Sequence, residues 1–123
     1  MKQGILIVDH GSRRAEANEA LEGVARLVQQ ARPDAIVRIA HMDIAPPTIA
    51  DAFDACVAEG AGEVIVHPYF LSPGNHTMND IPRLAREAAK RYPGVVARIS
   101  DPLGVHPRLA EVILERLRDA KAI

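Results

Sequence analysis

Several residue types that mark particular protein classes are scarce in this chain of 123 residues. Its one cysteine, Cys56, excludes an intrachain disulfide and a cluster of thiolate metal ligands. Aromatic residues make up only 3% of the sequence, which leaves few rings on which nucleic-acid bases could stack. The formal net charge of -1 provides no general attraction to a polyanion. We therefore expect no nucleic-acid partner.

Long hydrophobic runs are absent as well. The apolar run after Lys2 ends at Asp9, which is too short for the core of a signal peptide or for a membrane span. We therefore expect a cytoplasmic protein without a membrane partner. The hydrophobic share of 48% and the charged share of 25% are typical of a globular domain with a real core. We expect residues 1–123 to form a single lobe.

What the chain does contain is a regular alternation of strand and helix patterns. Each of four short apolar runs, rich in β-branched residues, is followed by a helical stripe of apolar residues. Pro33 marks the end of the first helix, and Pro46 with Pro47 marks the start of the second. With right-handed crossovers, this order predicts a four-stranded parallel sheet with helices on both faces, a flavodoxin-like three-layer α/β/α fold. A sheet this small leaves part of its surface poorly covered, so we also expect a homodimer.

Four of the five histidines follow predicted strands: His10, His41, His76 and His106. The carboxyl ends of parallel strands meet at one edge of a sheet, where ligands bind in α/β folds. Neutral imidazole is well suited to borderline divalent metals. The pattern predicts an α/β domain that handles a metal ion. The fifth histidine, His67, lies within the third strand and is expected to be a core histidine with a hydrogen-bond partner.

The first turn, DHGSRR, combines a histidine with features of an anion site. Gly11 permits a tight backbone path, and Ser12 is a plausible cap for the following helix. Arg13, Arg14 and the helix N-terminus favour an anion such as a carboxylate-bearing ligand. In the alternative interpretation Ser12 only caps, the arginines are solvated and His10 bonds to a loop carbonyl.

The segment after the third strand, SPGNHTMNDIP, is a longer loop that carries His76 ahead of a helix start near Thr77, Asn79 or Asp80. Loops of this kind often carry function, although His76 can also be read as an ordinary loop residue. Asp43 adds a carboxylate at the same edge. Two imidazoles and one carboxylate on separate loops bind Fe, Co, Ni or Zn with open coordination positions.

The segments ILIVDHGSRR, AHMDIAPPTI, HPYFLSPGNHTMNDIP and DPLGVHP resemble, in this order, the class II tetrapyrrole chelatases, specifically the small single-lobe sirohydrochlorin chelatases. The likeness covers essentially the whole chain. It implies a lyase that inserts Fe2+ or Co2+ into sirohydrochlorin, on the way to sirohaem or cobalamin, with Ni2+ as a further candidate. The metal is then a substrate, and no cofactor is permanently bound. Longer relatives carry two lobes around one cleft, so the resemblance also implies that two chains pair.

The resemblance assigns roles to individual residues. His10 and His76 match the metal-binding histidines of the family and would hold the ion or accept the pyrrole protons. Asp43 stands where the family often has a glutamate, and its side chain is shorter by about 1.5 Å, the length of one C–C bond. His41 and His106 could contact the substrate or support the residues that do, and His106 could instead simply begin the fourth helix. Contacts to the substrate carboxylates are expected from Ser12, Arg13, Arg14 and His41.

Two other functions use the same residues. A metal or tetrapyrrole carrier would bind through the histidines without catalysing insertion. A phosphoryl-transfer enzyme would use His10 as the nucleophile and Arg13 with Arg14 as the phosphate site. Against the second alternative, Asp9 stands where an arginine usually precedes the nucleophilic histidine, and no glycine-rich nucleotide motif follows any strand.

Overall fold

The computed structural model describes all 123 residues. Four strands alternate with four helices, as the sequence predicts. In chain order the elements are β1 (Gln3–Asp9), α1 (Ala15–Ala31), β2 (Ile36–His41), α2 (Ile49–Ala58), β3 (Glu63–Pro68), α3 (Asn75–Ala89), β4 (Val96–Ile99) and α4 (Pro107–Arg118).

The four strands form one sheet in the order β2-β1-β3-β4, and every neighbouring pair is parallel. Strand β1 lies between β2 and β3. The register pairs Asp9 with His41 on β2 and Val8 with Pro68 on β3. The segments that follow β1, β2 and β3 therefore leave the sheet side by side at its carboxyl edge. The predicted parallel sheet is confirmed.

The strand order also decides which face each helix covers. The chain moves from β1 to β2 in one direction and from β2 to β3 and β4 in the other, so right-handed crossovers place α1 on one face and α2 with α3 on the opposite face. The larger core cluster lies under α2 and α3 and includes the fully buried Phe53 and Leu6. A smaller cluster of Ile7, Leu21 and Ala25 lies under α1. The three-layer α/β/α arrangement is thus confirmed.

Helix α4 differs from the other helices because none of its residues is buried. Its apolar residues Val112, Ile113 and Leu117 are between 49% and 60% exposed. An apolar cleft of about 800 Å³ is lined by α4 and by side chains of the segments 69–71 and 103–107. The amphipathic pattern of the fourth helix is therefore present, but no surface of the chain covers it.

Local signals fix where two of the helices begin. Thr48 and Asp51 form a capping box at the start of α2, with each side chain bonded to the other residue's backbone N–H. Helix α4 begins at Pro107 after His106, whose Nδ1 accepts a hydrogen bond from the backbone N–H of Arg108 at 3.1 Å. None of the four helices combines the length and the hydrophobicity needed to cross a membrane.

Candidate functional site

The turn after β1 is tied to the turn after β2 by backbone hydrogen bonds. The Met42 N–H donates to the Asp9 carbonyl at 2.8 Å, and the Asp43 N–H donates to the His10 carbonyl at 3.0 Å. The parallel pairing thus continues past the ends of both strands. It brings the backbones of His10 and Asp43 together at the carboxyl edge, and both residues are exposed there.

Gly11 is required by this close approach. Its φ is +96°, and a Cβ at this position would lie 2.1 Å from the carbonyl oxygen of Asp43. Any side chain would therefore combine an unfavourable backbone conformation with a collision against a backbone atom. The tight path predicted for Gly11 has a specific cause, which is contact with the neighbouring turn.

The predicted role of Ser12 as a helix cap is wrong. Helix α1 begins at Ala15, and its N-cap residue is Arg14, which makes no side-chain cap. Ser12 Oγ instead accepts from the Arg14 N–H at 3.0 Å within the turn. Asn18, in the first turn of α1, accepts from the Ser12 N–H at 3.0 Å and donates to the Ser12 carbonyl at 2.8 Å. Sequence reasoning missed Asn18. The only feature of the sequence that pointed to it was a polar residue in the first turn of the predicted helix.

Positive charge is available beside this turn. Arg13 and Arg14 are both exposed. Arg14 comes no closer than 3.9 Å to the carboxylate of Glu16, and such a surface pair contributes little. Both guanidinium groups are therefore accessible to an anionic ligand, and their predicted role in binding one stays a prediction.

His41 is buried, so of its two predicted roles direct contact with a substrate is wrong, and support of neighbouring site residues remains. The side chain of His41 is 1% exposed, and its Nδ1 lies 2.5 Å from Oδ1 of Asp9, whose side chain is 25% exposed. Because a carboxylate only accepts hydrogen bonds, Nδ1 is the donor. The imidazole lies beneath the turns that carry His10 and Asp43. The physical reason for the difference is the pairing of β1 with β2, which turns this side chain toward Asp9.

His76 lies on a helix and not in the loop ahead of it. Helix α3 begins at Asn75, one residue after Gly74, so His76 occupies its first turn and Pro82 lies inside the helix. The His76 side chain is exposed at the carboxyl end of β3. The predicted start near Thr77 to Asp80 is therefore several residues too late, although the predicted edge of the sheet is correct.

Asp43 keeps most of its carboxylate free. One oxygen, Oδ1, accepts from the Ile44 N–H at 2.8 Å. No three His, Cys, Asp or Glu side chains of the chain are arranged closely enough to hold a metal ion together. His10, Asp43 and His76 therefore do not form a three-ligand group within this chain, and their role in metal binding stays a prediction.

The two remaining histidines have hydrogen-bond partners, as expected for His67 and in agreement with the structural alternative for His106. His67 is half-buried, and its Nδ1 is 2.8 Å from Ser100 Oγ. Burial lowers the pKa of His67 and so favours the neutral imidazole. His106 caps α4.

Comparison with known proteins agrees with these features. The model of the CbiX family matches residues 4–120. The chain is 46% identical over 115 residues to the chloroplastic sirohydrochlorin ferrochelatase of Arabidopsis thaliana, and the match covers 94% of this chain and 51% of that protein. It is 31% identical over 135 residues to the sirohydrochlorin cobaltochelatase of Methanothermobacter thermautotrophicus, and the match covers 97% of this chain and 93% of that protein.

The fold is shared as well. The sirohydrochlorin chelatase SirB of Bacillus subtilis subspecies spizizenii, solved in complex with cobalt, superimposes with a TM-score of 0.86 at 31% identity, over 97% of this chain and 51% of that one. The chain spans 38% to 51% of the length of its curated relatives from Arabidopsis, Bacillus and Priestia. The resemblance to the chelatases predicted from the sequence is confirmed. Since the family model covers nearly all residues, the chain belongs to the CbiX family.

Proposed function

We propose that this protein is a sirohydrochlorin chelatase, a lyase that inserts Fe2+ or Co2+ into sirohydrochlorin. The observation that carries the proposal is the carboxyl edge of the sheet, where the backbones of the exposed His10 and Asp43 are hydrogen-bonded to each other. The exposed Arg13 and His76 lie in the segments that follow β1 and β3. The relatives named above are a ferrochelatase and a cobaltochelatase, so either metal is a candidate, with Ni2+ as a third. The metal is a substrate, and the proposal includes no resident cofactor.

Substrate binding is the first step of the proposal. Sirohydrochlorin carries carboxylates around its rim. Arg13 and Arg14 would bind these carboxylates through paired, charge-assisted hydrogen bonds. The turn that carries these arginines is fixed by the two hydrogen bonds between Asn18 and Ser12. A rigid turn would hold one edge of the macrocycle next to His10.

Metal entry requires two pyrrole protons to leave. Imidazole both binds borderline divalent ions and accepts protons, so His10 and His76 would divide or share these two roles. The carboxylate of Asp43, whose backbone is bonded to that of His10, would orient the imidazole or accept a proton. Since these residues project from different turns, they would contact a ring lying across the edge of the sheet.

We further infer that residues 1–123 act as one lobe of a homodimer. Three observations support this inference: the exposed apolar face of α4, the apolar cleft of about 800 Å³ beside it, and relatives about twice as long as this chain. A second copy packed on this surface would bury side chains such as Val112 and Leu117. It would also supply the opposite wall of a cleft wide enough for a macrocycle.

A cytoplasmic location is part of the proposal. The lone thiol, Cys56, is buried and unpaired, which suits a reducing compartment. The Arabidopsis relative is named as chloroplastic, so the location would differ within the family.

The test is an anaerobic absorbance assay of sirohydrochlorin with Fe2+, Co2+ and Ni2+ in turn. A chelatase gives many turnovers of the spectral change, whereas a carrier gives at most one per chain. His10→Ala and His76→Ala should each lower the insertion rate by about 100-fold or more while the protein stays folded. Tyr92→Phe is the matched control, because it removes a hydrogen bond to Asp54 outside the turns of the carboxyl edge, and the insertion rate should not change. Near-normal rates in both alanine variants would remove the proposed mechanism.

The dimer is tested by light scattering after gel filtration. Val112→Glu places a charge on the apolar face of α4 and should give a folded monomer. Glu111→Gln, on the face of the same helix that is turned away from the apolar stripe, should remain dimeric. A monomeric wild-type protein, or a Val112→Glu variant that still dimerises, would contradict the proposed interface.

A further inference from the structure

One buried polar group has no part in the proposed reaction. His41 is the only polar or charged residue among the buried residues of the chain. Burial of an imidazole is unfavourable unless its polar atoms are bonded, and here Nδ1 is bonded to Asp9 at 2.5 Å. An apolar side chain of similar size would fill the same space without this requirement. The position therefore calls for a role beyond packing.

The partner of His41 is the residue that directly precedes His10. Asp9 and His41 are opposite each other in the register of β1 and β2 and are the last residues of their strands. Beyond them, only backbone hydrogen bonds join the two turns, from Met42 to Asp9 and from Asp43 to His10. The Asp9 to His41 bond is the only side-chain hydrogen bond between these turns.

This placement matters because strand ends open easily. Terminal backbone hydrogen bonds at an exposed edge are among the first to break in local fluctuations. A bond between a carboxylate and a buried imidazole directly beneath them resists that opening, since breaking it would leave the His41 N–H without a partner. The bond thereby limits the separation between His10 and Asp43.

We propose that Asp9 and His41 form a positioning pair that sets the distance between His10 and Asp43. The inference rests on the proposed function, because it specifies how the geometry of that reaction's site is fixed. Neither residue needs to touch the metal or the tetrapyrrole. Hydrogen-bond partners behind metal ligands typically change metal affinity or activity by about 10- to 100-fold, and we expect effects of this size.

The experiment compares four variants by two measurements. His41→Phe fills the space without a donor, Asp9→Ala removes the acceptor, and a double variant combines them. Asp9→Asn keeps an oxygen that can accept from His41. Co2+ affinity is measured by titration of the visible absorption, and insertion of Co2+ into sirohydrochlorin is measured as a rate.

His41→Phe and Asp9→Ala should each lose about 10- to 100-fold in Co2+ affinity, insertion rate or both. The double variant should lose no more than either single one, because the two residues act as a unit. Asp9→Asn should recover most of the loss. Tyr92→Phe is the matched control: it also removes a hydrogen bond to a carboxylate, that of Asp54 at 2.7 Å, but it lies outside the two turns. Thermal unfolding monitors the fold of every variant.

The outcomes separate this inference from the proposed function. Wild-type affinity and rate in both His41→Phe and Asp9→Ala would overturn the positioning role alone. A loss in Asp9→Asn as large as that in Asp9→Ala would also overturn it, since the charge and not the hydrogen bond would then matter. If the wild-type protein binds Co2+ without inserting it, the proposed function fails and the affinities still decide the positioning role. A wild-type chain that neither binds nor inserts Co2+ overturns both.

Discussion

Replacement of Gly11 by alanine should damage both the stability and the site of this protein. The new Cβ would lie 2.1 Å from the carbonyl oxygen of Asp43 and 3.0 Å from the Cβ of His41. Gly60 offers a matched comparison, because its φ of +100° is close to the +96° of Gly11 but nothing lies within 4 Å of its added Cβ. The two substitutions therefore share the backbone strain and differ in the collision.

The expected magnitudes follow from these two terms. An L residue in the left-handed region is destabilised by about 1–2 kcal/mol, which is the whole effect expected for Gly60→Ala. Forcing an extra atom into a packed region adds about 1–3 kcal/mol, so Gly11→Ala should lower the free energy of unfolding by about 2–5 kcal/mol. For a domain of this size, each kcal/mol corresponds to about 3–6 °C in Tm.

Urea unfolding followed by circular dichroism measures both variants, and the insertion assay is run well below their melting temperatures. Gly11→Ala should also lose insertion activity, because relief of the collision displaces Asp43 and the His10 backbone bonded to it. Gly60→Ala should keep the wild-type rate. Equal losses of stability in the two variants, or a wild-type insertion rate in Gly11→Ala, would refute the reasoning from close approach.

Three further predictions concern other parts of the chain. Asn18→Ala removes both hydrogen bonds to Ser12 and should lower the free energy of unfolding by about 1–3 kcal/mol; an unchanged urea midpoint would show that these two bonds do not stabilise the turn. Burial raises the pKa of the Cys56 thiol from 9.0 to about 11, so the native thiol should resist iodoacetamide at pH 8. Its contribution to stability should fall as pH rises from about 9 to about 11, because the unfolded thiol ionises first; rapid alkylation of native protein would contradict this. Burial lowers the pKa of His67 below 6.5. As pH falls, His67 is therefore protonated first in the unfolded chain, and the free energy of unfolding should decrease below about pH 6.5. An NMR titration midpoint of His67 at or above 6.5 would contradict this prediction.

The fold was predictable because its signals are local and repeated. Runs rich in β-branched residues favour buried parallel strands, and β1, β2 and β3 bury members of such runs. Strand β4 carries only Val96 and Ile99 of this kind and is exposed throughout at the edge of the sheet. The candidate site could be assigned to this edge for the same reason, since residues that follow parallel strands meet at one edge of a sheet. His10 and Asp43 follow directly from this rule, and their neighbouring backbones agree with it.

The finer assignments failed where a local signal competed with packing. Thr77, Asn79 and Asp80 are all good capping residues, and Pro82 favours a first helical turn, so the sequence predicts a late start for α3. The helix instead begins at Asn75. The burial of His41 depends on Asp9, a residue 32 positions away, and no local pattern reveals such a bond.

Helix α4 shows a limit of a different kind. Its apolar stripe identifies a helix that needs a partner surface, and the sequence cannot say which surface that is. The other three helices bury their stripes on the sheet of their own chain, whereas α4 buries none. An amphipathic helix left exposed in one chain is explained if its partner surface belongs to a second copy.

The two histidines of the site are positioned by different parts of the fold. His10 is held locally, by the Asp9 to His41 bond and by the backbone bond to Asp43. His76 has no such tie and depends on the packing of α3 against the larger core cluster, in which Ile81 is buried. Loss of the Asp9 to His41 bond should therefore affect the proposed metal-binding geometry before it affects the fold, whereas changes under α3 should affect both together. The position of His10 is thus set by hydrogen bonds within the candidate site, and the position of His76 is set by the hydrophobic core.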